Sequence, residues 1–415
     1  MADTSFAFTD PRAQTVWAPD TFYDAFMLMR LQPLIGTTED DVIRINKDLR
    51  AKAGGTVVFE CDDELAGAGV GDDGDTTNNS QQLTIKNQSV TVHTRATRTQ
   101  AAGMQSLQLT SLKGVEAFRQ RSKRHLSKWQ GRVMDLDLLG SLTGEYNENY
   151  SAAAVQTINE VYPSSTRILY LGQSVGSTPA LDNNGTSYAT DASLSAATQS
   201  DNLFGTLVLQ RARRMAVMAS PRMRPAKFRQ TPASQEKSVF FEPQGGKQGK
   251  IIGDFFVVLA SPYQIESMRS EIGAAGFNTM IQNAAARGND NPIFTGAAIP
   301  FLGMIVCEWE QIPYRTGAGG TTLAEGFLLN AGRTATSDPV ANTYSIARAL
   351  LLGANAGIFS WAMPFGWWED VYDCNKPIVK TEGIYGCKCN CWNASGGTDA
   401  GAEVSRIAID THIVI

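Results

Sequence analysis

Histidine is scarce in this chain. His93, His125 and His412 are the only three in 415 residues, and none has acidic neighbours at metal-ligand spacing. The G-x-x-x-x-G-K-[ST] phosphate loop is missing; GGKQGK at 245–250 has neither its spacing nor its hydroxyl. H-E-x-x-H is missing too. No window approaches the roughly 20 apolar residues needed to cross a bilayer, so no membrane association is expected. MADTSFAFTDPRAQ has no basic segment followed by an apolar one, so synthesis in the cytoplasm is the expectation. So thin a catalytic inventory favours a structural role, although folds host many functions. No cofactor is expected.

What the chain does contain is enough apolar residue to build a core: 43% hydrophobic against 19% charged. The formal net charge of −5 excludes a whole molecule that binds nucleic acid by charge alone. The longest periodic stretch runs from Leu109 to Leu139. Leu112, Val115, Phe118, Ser122, Leu126, Trp129, Val133 and Leu136 recur there at steps of three or four, one face of a helix. About 30 residues of helix would span about 45 Å, and Gly140 is the expected left-handed cap.

Before this helix, GGTVVFECDDEL and LTIKNQSVTVHTRATRT read as two strands. The polar stretch between them, GAGVGDDGDTTNNSQQ, suits a long hairpin tip carrying Asp72, Asp73 and Asp75. Gly69, Gly71 and Gly74 match G-x-G-x-x-G, but a dinucleotide site needs a helix next and DTTNN is turn-forming. The three aspartates miss the EF-hand spacing. Gly172-Gln173-Ser174-Val175-Gly176 matches the nucleophile elbow G-x-S-x-G. A hydrolase using Ser174 is therefore the alternative reading, although Pro179 argues against the helix it needs and His412 is the only later histidine.

Further along, Phe22–Leu31, Asp40–Leu49, 201–220 (with Asp201 as N-cap), SPYQIESMRSEIG and Gly276–Arg287 read as helices. Arg167–Leu171, IIGDFFVVLA and Leu302–Ile312 read as strands, and residues 344–362 as core. In the last strand Ile407, Ile409, Thr411, Ile413 and Ile415 point one way, as in a half-buried strand. Together these give an α+β chain. Arg211, Arg213, Arg214, Arg222, Arg224, Lys227 and Arg229 form a basic cluster, either a solvated face or a contact for phosphate or an acidic neighbour. Asp62-Asp63 and Glu369-Asp370 read as solvated surface acids rather than acid/base couples. Cys374, Cys387, Cys389 and Cys391 lie close together, and C-x-C-x-C on a flat strand cannot wrap one tetrahedral ion. Whether they form disulfides or bind metal stays open at this point.

The ordered set GGTVVFECDDELAGAGVGDDGD, HLSKWQGRVMDLDLLGSLTG, FVVLASPYQIESMRSE, NPIFTGAAIPFLGMIVCEWEQIP, ALLLGANAGIFSW and IAIDT resembles the major capsid protein of tailed bacteriophages, with the Hong Kong 97-type fold, enquatro-like branch. The resemblance implies an N-terminal arm over 1–50 and an extended hairpin loop over 51–100. It implies a peripheral domain with a spine helix over 101–159 and an axial domain over 160–364. Residues 365–399 would return to the peripheral domain, and 400–415 would close the axial one. It further implies a homo-oligomer of pentameric and hexameric capsomers in the virion, with portal, scaffold or decoration proteins and packaged DNA as partners. Asp72, Asp73, Asp75, Arg211, Arg213, Arg214, Arg222 and Arg224 would then face other subunits or DNA.

Overall fold

The computed structural model describes residues 29–46, 55–62, 85–100, 115–144, 158–159, 167–170, 202–219, 222–229, 251–271, 299–310, 312, 314–315, 346–372, 376–392 and 402–413. Among the described residues a 3-10 turn (Gln32–Leu34) precedes β1 (Ile35–Gly36), β2 (Ile43–Asn46), β3 (Thr56–Asp62), β4 (Ile85–Thr91) and β5 (His93–Gln100), then the long helix α1 (Val115–Thr143). Next come β6 (Ile158–Asn159), β7 (Ile168–Tyr170), helix α2 (Thr206–Met218), β8 (Ala226–Arg229), β9 (Ile251–Ala260) and helix α3 (Pro262–Arg269). It continues with β10 (Ile299–Phe301), β11 (Met304–Glu308), β12 (Tyr314–Arg315), β13 (Ile346–Leu352) and β14 (Gly357–Tyr372). It closes with β15 (Lys376–Cys389), β16 (Cys391–Trp392), β17 (Ala402–Glu403) and β18 (Arg406–His412).

Two main sheets result. The first has the order β1-β2-β14-β15-β5, with β6 added to β15. The second has the order β10-β11-β9-β13-β18-β7, with β12 on β13 and β8 on β9. Strand β9 is apolar on both faces because both are covered. Phe256, Val258 and Ala260 pack under α2 and α3, against Val208, Ala212, Ile265 and Met268. Val257 and Leu259 point the other way, into a core shared with Leu138, Leu139 and Leu142 of α1 and Phe359, Trp361 and Tyr385 of the first sheet. One continuous apolar core therefore joins the two sheets.

Several expectations shift. Helix α1 does not stop at Gly140. It runs on to Thr143 and is capped by Gly144 at φ 74°, whose N–H bonds the Gly140 carbonyl at 2.9 Å. Residues 109–114 lie outside the described residues. Asp40–Leu49 is not a helix where described: Ile43 and Ile45 alternate on β2, and pairing with Gly357 to Ser360 of β14 sets their conformation. Residues 29–31 are not helical either. Leu302 and Gly303, both at positive φ, turn the chain between β10 and β11, so 302–312 is not one strand. Helix α2 starts at Thr206 with Gly205 as N-cap, rather than with Asp201. Helix α3 starts as expected, with Ser261 and Gln264 closing a capping box ahead of Pro262. The chain crosses from the second sheet to the first at 353–356, and β14 begins at Gly357. The Gly276–Arg287 reading lies outside the described residues.

Candidate functional site

Helix α1 packs into the core shared by the two sheets, and its last three turns are entirely buried. Asp135 accepts the N–H groups of Arg30 (2.8 Å) and Leu31 (3.2 Å), the first described turn of the chain. Burial raises its pKa to about 6, against the pull of those two N–H groups and the Arg30 charge. Two residues on, Asp137 takes two bonds from Arg95 of β5, at 3.0 and 2.6 Å. It also accepts the Tyr385 hydroxyl of β15 at 2.6 Å. Burial, and then the Asp137 charge, push the Tyr385 phenol and the neighbouring Cys387 thiol well above their usual values.

The end of α1 meets the second sheet. The last carbonyls of a helix have no partner inside it and carry the negative end of its dipole. Here the partners are two buried arginines. Arg406 of β18 donates to the carbonyls of Leu142 (2.9 Å) and Ser141 (3.5 Å). Arg348 of β13 donates to that of Thr143 (3.3 Å). Arg348 is also held by Asp410 of β18 through two bonds of 2.8 and 2.7 Å. At the other end of the same sheet, Glu271 accepts the backbone N–H of Thr206 (3.1 Å) and its hydroxyl (2.6 Å), which caps the start of α2.

Strands β3 and β4 pair only with each other among the described residues. An isolated two-stranded ribbon is marginal in water. Its base is held because Val57, Phe59, Val90 and Val92 pack on Ile358, Ala362 and Ile384 of the first sheet. Val58, on the opposite side, is half exposed.

A second exposed feature lies on α2 and just beyond it. Arg213, Arg214, Arg222 and Arg224 are exposed, as are Val217 and Met218. Arg211 is half-buried and lines a shallow hollow with Leu207, Arg214, Met215 and Met218. The Arg213 guanidinium lies beside the Gly303 turn.

The fold and these two exposed features are what a tiling subunit would have. A family model described as "Phage capsid protein" matches residues 5–415. The chain belongs to that family. It is similar to the solved capsid of Ralstonia phage GP4, with a TM-score of 0.61, 20% identity and coverage of 92% of this chain and 90% of that one. It is likewise similar to the cyanophage Pam1 capsid, with a TM-score of 0.57, 17% identity and coverage of 93% and 92%. The head structure of Helicobacter pylori bacteriophage KHP40 gives 0.57 at 12% identity, with coverage of 93% and 91%. At these identities the likeness shows the fold, an α+β phage capsid fold. No curated protein matches the chain. The family places this capsid protein in the virion, as a structural subunit of the head shell.

In the capsid protein the predicted site residues divide. Arg211, Arg213, Arg214, Arg222 and Arg224 come together on and after α2, whereas Asp72, Asp73 and Asp75 lie outside the described residues. Ser174 lies outside them too, and His412 is fully buried in β18. Glu369 is no solvated acid: it is buried and accepts the Trp367 indole N–H at 2.9 Å. Cys387, Cys389 and Cys391 are buried, with a break at Asn390 separating β15 from β16. The terminal strand is buried on both faces, not one. The anchors Arg95, Asp135, Asp137, Arg348, Arg406 and Asp410 were not singled out from the sequence. A lone charge inside an apolar run, as in ARALLLG and IAIDT, is the signal that marks two of them, Arg348 and Asp410.

Proposed function

We propose that this capsid protein closes, as pentameric and hexameric capsomers, into an icosahedral shell around double-stranded DNA, with no catalytic step of its own. The observation that carries this is the β3–β4 ribbon. It is paired only with itself among the described residues, and its segment 62–75 holds Asp62, Asp63, Glu64, Asp72, Asp73 and Asp75 with no basic residue. A subunit with an acidic segment between these strands and an exposed arginine cluster carries complementary charges for its copies to pair. Many weak contacts in a closed lattice then add up.

The parts divide accordingly. The parts of 1–50 and 51–100 outside the first sheet serve as the arm and the inter-subunit loop, and the α1 layer with the first sheet serves as the peripheral domain. The second sheet with α2 and α3 serves as the axial domain. The Arg211–Arg224 cluster faces either a neighbour's acidic ribbon or packaged DNA. Portal, scaffold and decoration proteins are the further partners of such a shell.

Expression of the full chain followed by negative-stain imaging tests the reading, with shells or rings of capsomers as the expected result. Material that stayed monomeric under every assembly condition would overturn it. Reversing charge with Arg213→Glu and Arg214→Glu is expected to reduce assembly if the cluster meets a subunit. Genome retention alone would fall if it meets DNA.

A further inference from the structure

At Val92 the chain changes partners. Residues up to Thr91 pair with β3, whereas His93 onward pairs with β15, starting opposite Tyr385. The Val92 N–H bonds the Gly55 carbonyl at 3.0 Å, so the ribbon joins the sheet through two adjacent points, residues 55 and 92. Apolar packing of Val57, Phe59 and Val90 on Ile358, Ala362 and Ile384 holds the base but sets no direction. What crosses the joint is a row of contacts made without any main-chain pairing. Gly386 lies under Thr91, and a Cβ at 386 would overlap the Thr91 carbonyl oxygen. Two residues on, Lys388 Nζ donates to the Ser89 carbonyl at 3.1 Å. Gln88 then uses both ends of its amide: Nε2 donates to the Cys389 carbonyl at 2.9 Å, and Oε1 accepts the Cys391 N–H at 3.1 Å.

Gln88 fills a specific gap. Strand β15 ends at Cys389 and β16 begins at Cys391, because Asn390 turns aside to bond the Ala356 and Asn355 carbonyls, each at 3.0 Å. The side-chain amide takes the place of a missing peptide unit. Gln88 and Lys388 are both buried, at 6% and 3% exposure, so a lost bond there is not replaced by bulk water. The contacts run in order, 91 over 386, 89 to 388 and 88 to 389–391, as an antiparallel row of side-chain ties.

We infer that Gln88 and Lys388 are positioning residues for assembly: their side chains set the angle at which the β3–β4 ribbon leaves the body. The inference rests on the reading of that ribbon as the inter-subunit loop. Cutting the ties loosens the ribbon, so that its ladder opens more often, without unfolding the body.

The test uses the full chain with Gln88→Leu and Lys388→Met made separately. A control, Ile265→Val, thins the distant core under α3 and leaves the ties intact. Amide hydrogen exchange at 85–91 is expected to rise about tenfold in the tie variants, with exchange at 376–385 unchanged. Their particles should be open sheets or mixed in diameter, while the control, at a comparable loss of melting temperature, forms particles of natural diameter. Natural particles and natural exchange in both tie variants would overturn the inference. If Gln88→Leu fails to fold, Lys388→Met decides. A chain with 63–84 replaced by a short turn separates the two ideas. If it still closes normal shells, the inter-subunit reading fails. If it does not, yet both tie variants do, only the positioning role fails.

Discussion

Arg348 and Asp410 form a two-pronged ion pair across β13 and β18, with neither side chain exposed at all. Arg348 also reaches the Thr143 carbonyl, so the pair ties the second sheet to the end of the spine helix. A buried pair of this kind is weak evidence of net stabilisation, because both ions have lost their water. Breaking it is another matter. Arg348→Leu strands the Asp410 carboxylate and is expected to cost about 3–5 kcal/mol, read as a fall in the urea midpoint of the subunit. Adding Asp410→Leu to it should recover much of that loss.

Asp135 gives the protein a pH dependence of known sign. Burial lifts its folded pKa from the ordinary 3.8 to about 6, so the folded state holds the proton more tightly. The contribution of this group to stability therefore rises as pH falls from about 6 to about 4, and is lost again as pH climbs through 6. The span corresponds to about 3 kcal/mol. Comparing urea midpoints of the natural chain and Asp135→Asn at pH 7 and pH 4.5 isolates it. The natural chain should gain more on acidification, and equal slopes would contradict the assignment.

Gly144 closes α1 with φ 74°. Any side chain there meets its own following carbonyl, so Gly144→Ala is expected to cost about 1–2 kcal/mol. Gly144→Asn should cost less, since asparagine tolerates this conformation. Thermal unfolding of the two variants ranks them.

Glu271 caps α2 from outside the helix, through both the N–H and the hydroxyl of Thr206. Glu271→Ala leaves these donors buried without their acceptor and is expected to cost about 2–3 kcal/mol. The more useful readout is local: exchange of the first α2 amides should rise while that of β9 stays slow.

Much of this fold could be read along the chain, and the reason for each failure is physical. IIGDFFVVLA reads as a central strand because an unbroken apolar run suits a strand covered on both faces, and β9 is buried from Phe256 to Ala260. Ser261-Pro262 reads as a helix start because proline and a capping hydroxyl are local chemistry. The terminal strand shows the limit. Alternation tells which residues share a face, not which faces are covered, so Arg406, Asp410 and His412 read as solvent-facing when they are fully buried. Ile43 and Ile45 lost to a helical reading because their partner, β14, lies more than 300 residues away in the chain. Of the exposed features, the Arg211–Arg224 cluster was visible as composition. The Gln88 tie was not, since a single glutamine in a polar strand carries no pattern.

A closed shell with both five-fold and six-fold positions must seat one sequence at unequal angles. The shared core around Leu139, Leu142, Phe359 and Tyr385 leaves no slack between the two sheets, because interlocked side chains do not bend by degrees. Curvature has to be absorbed at the rim of each tile, where the ribbon departs. A few polar ties there, rather than any flexing of the body, would decide how large a container the chain can close.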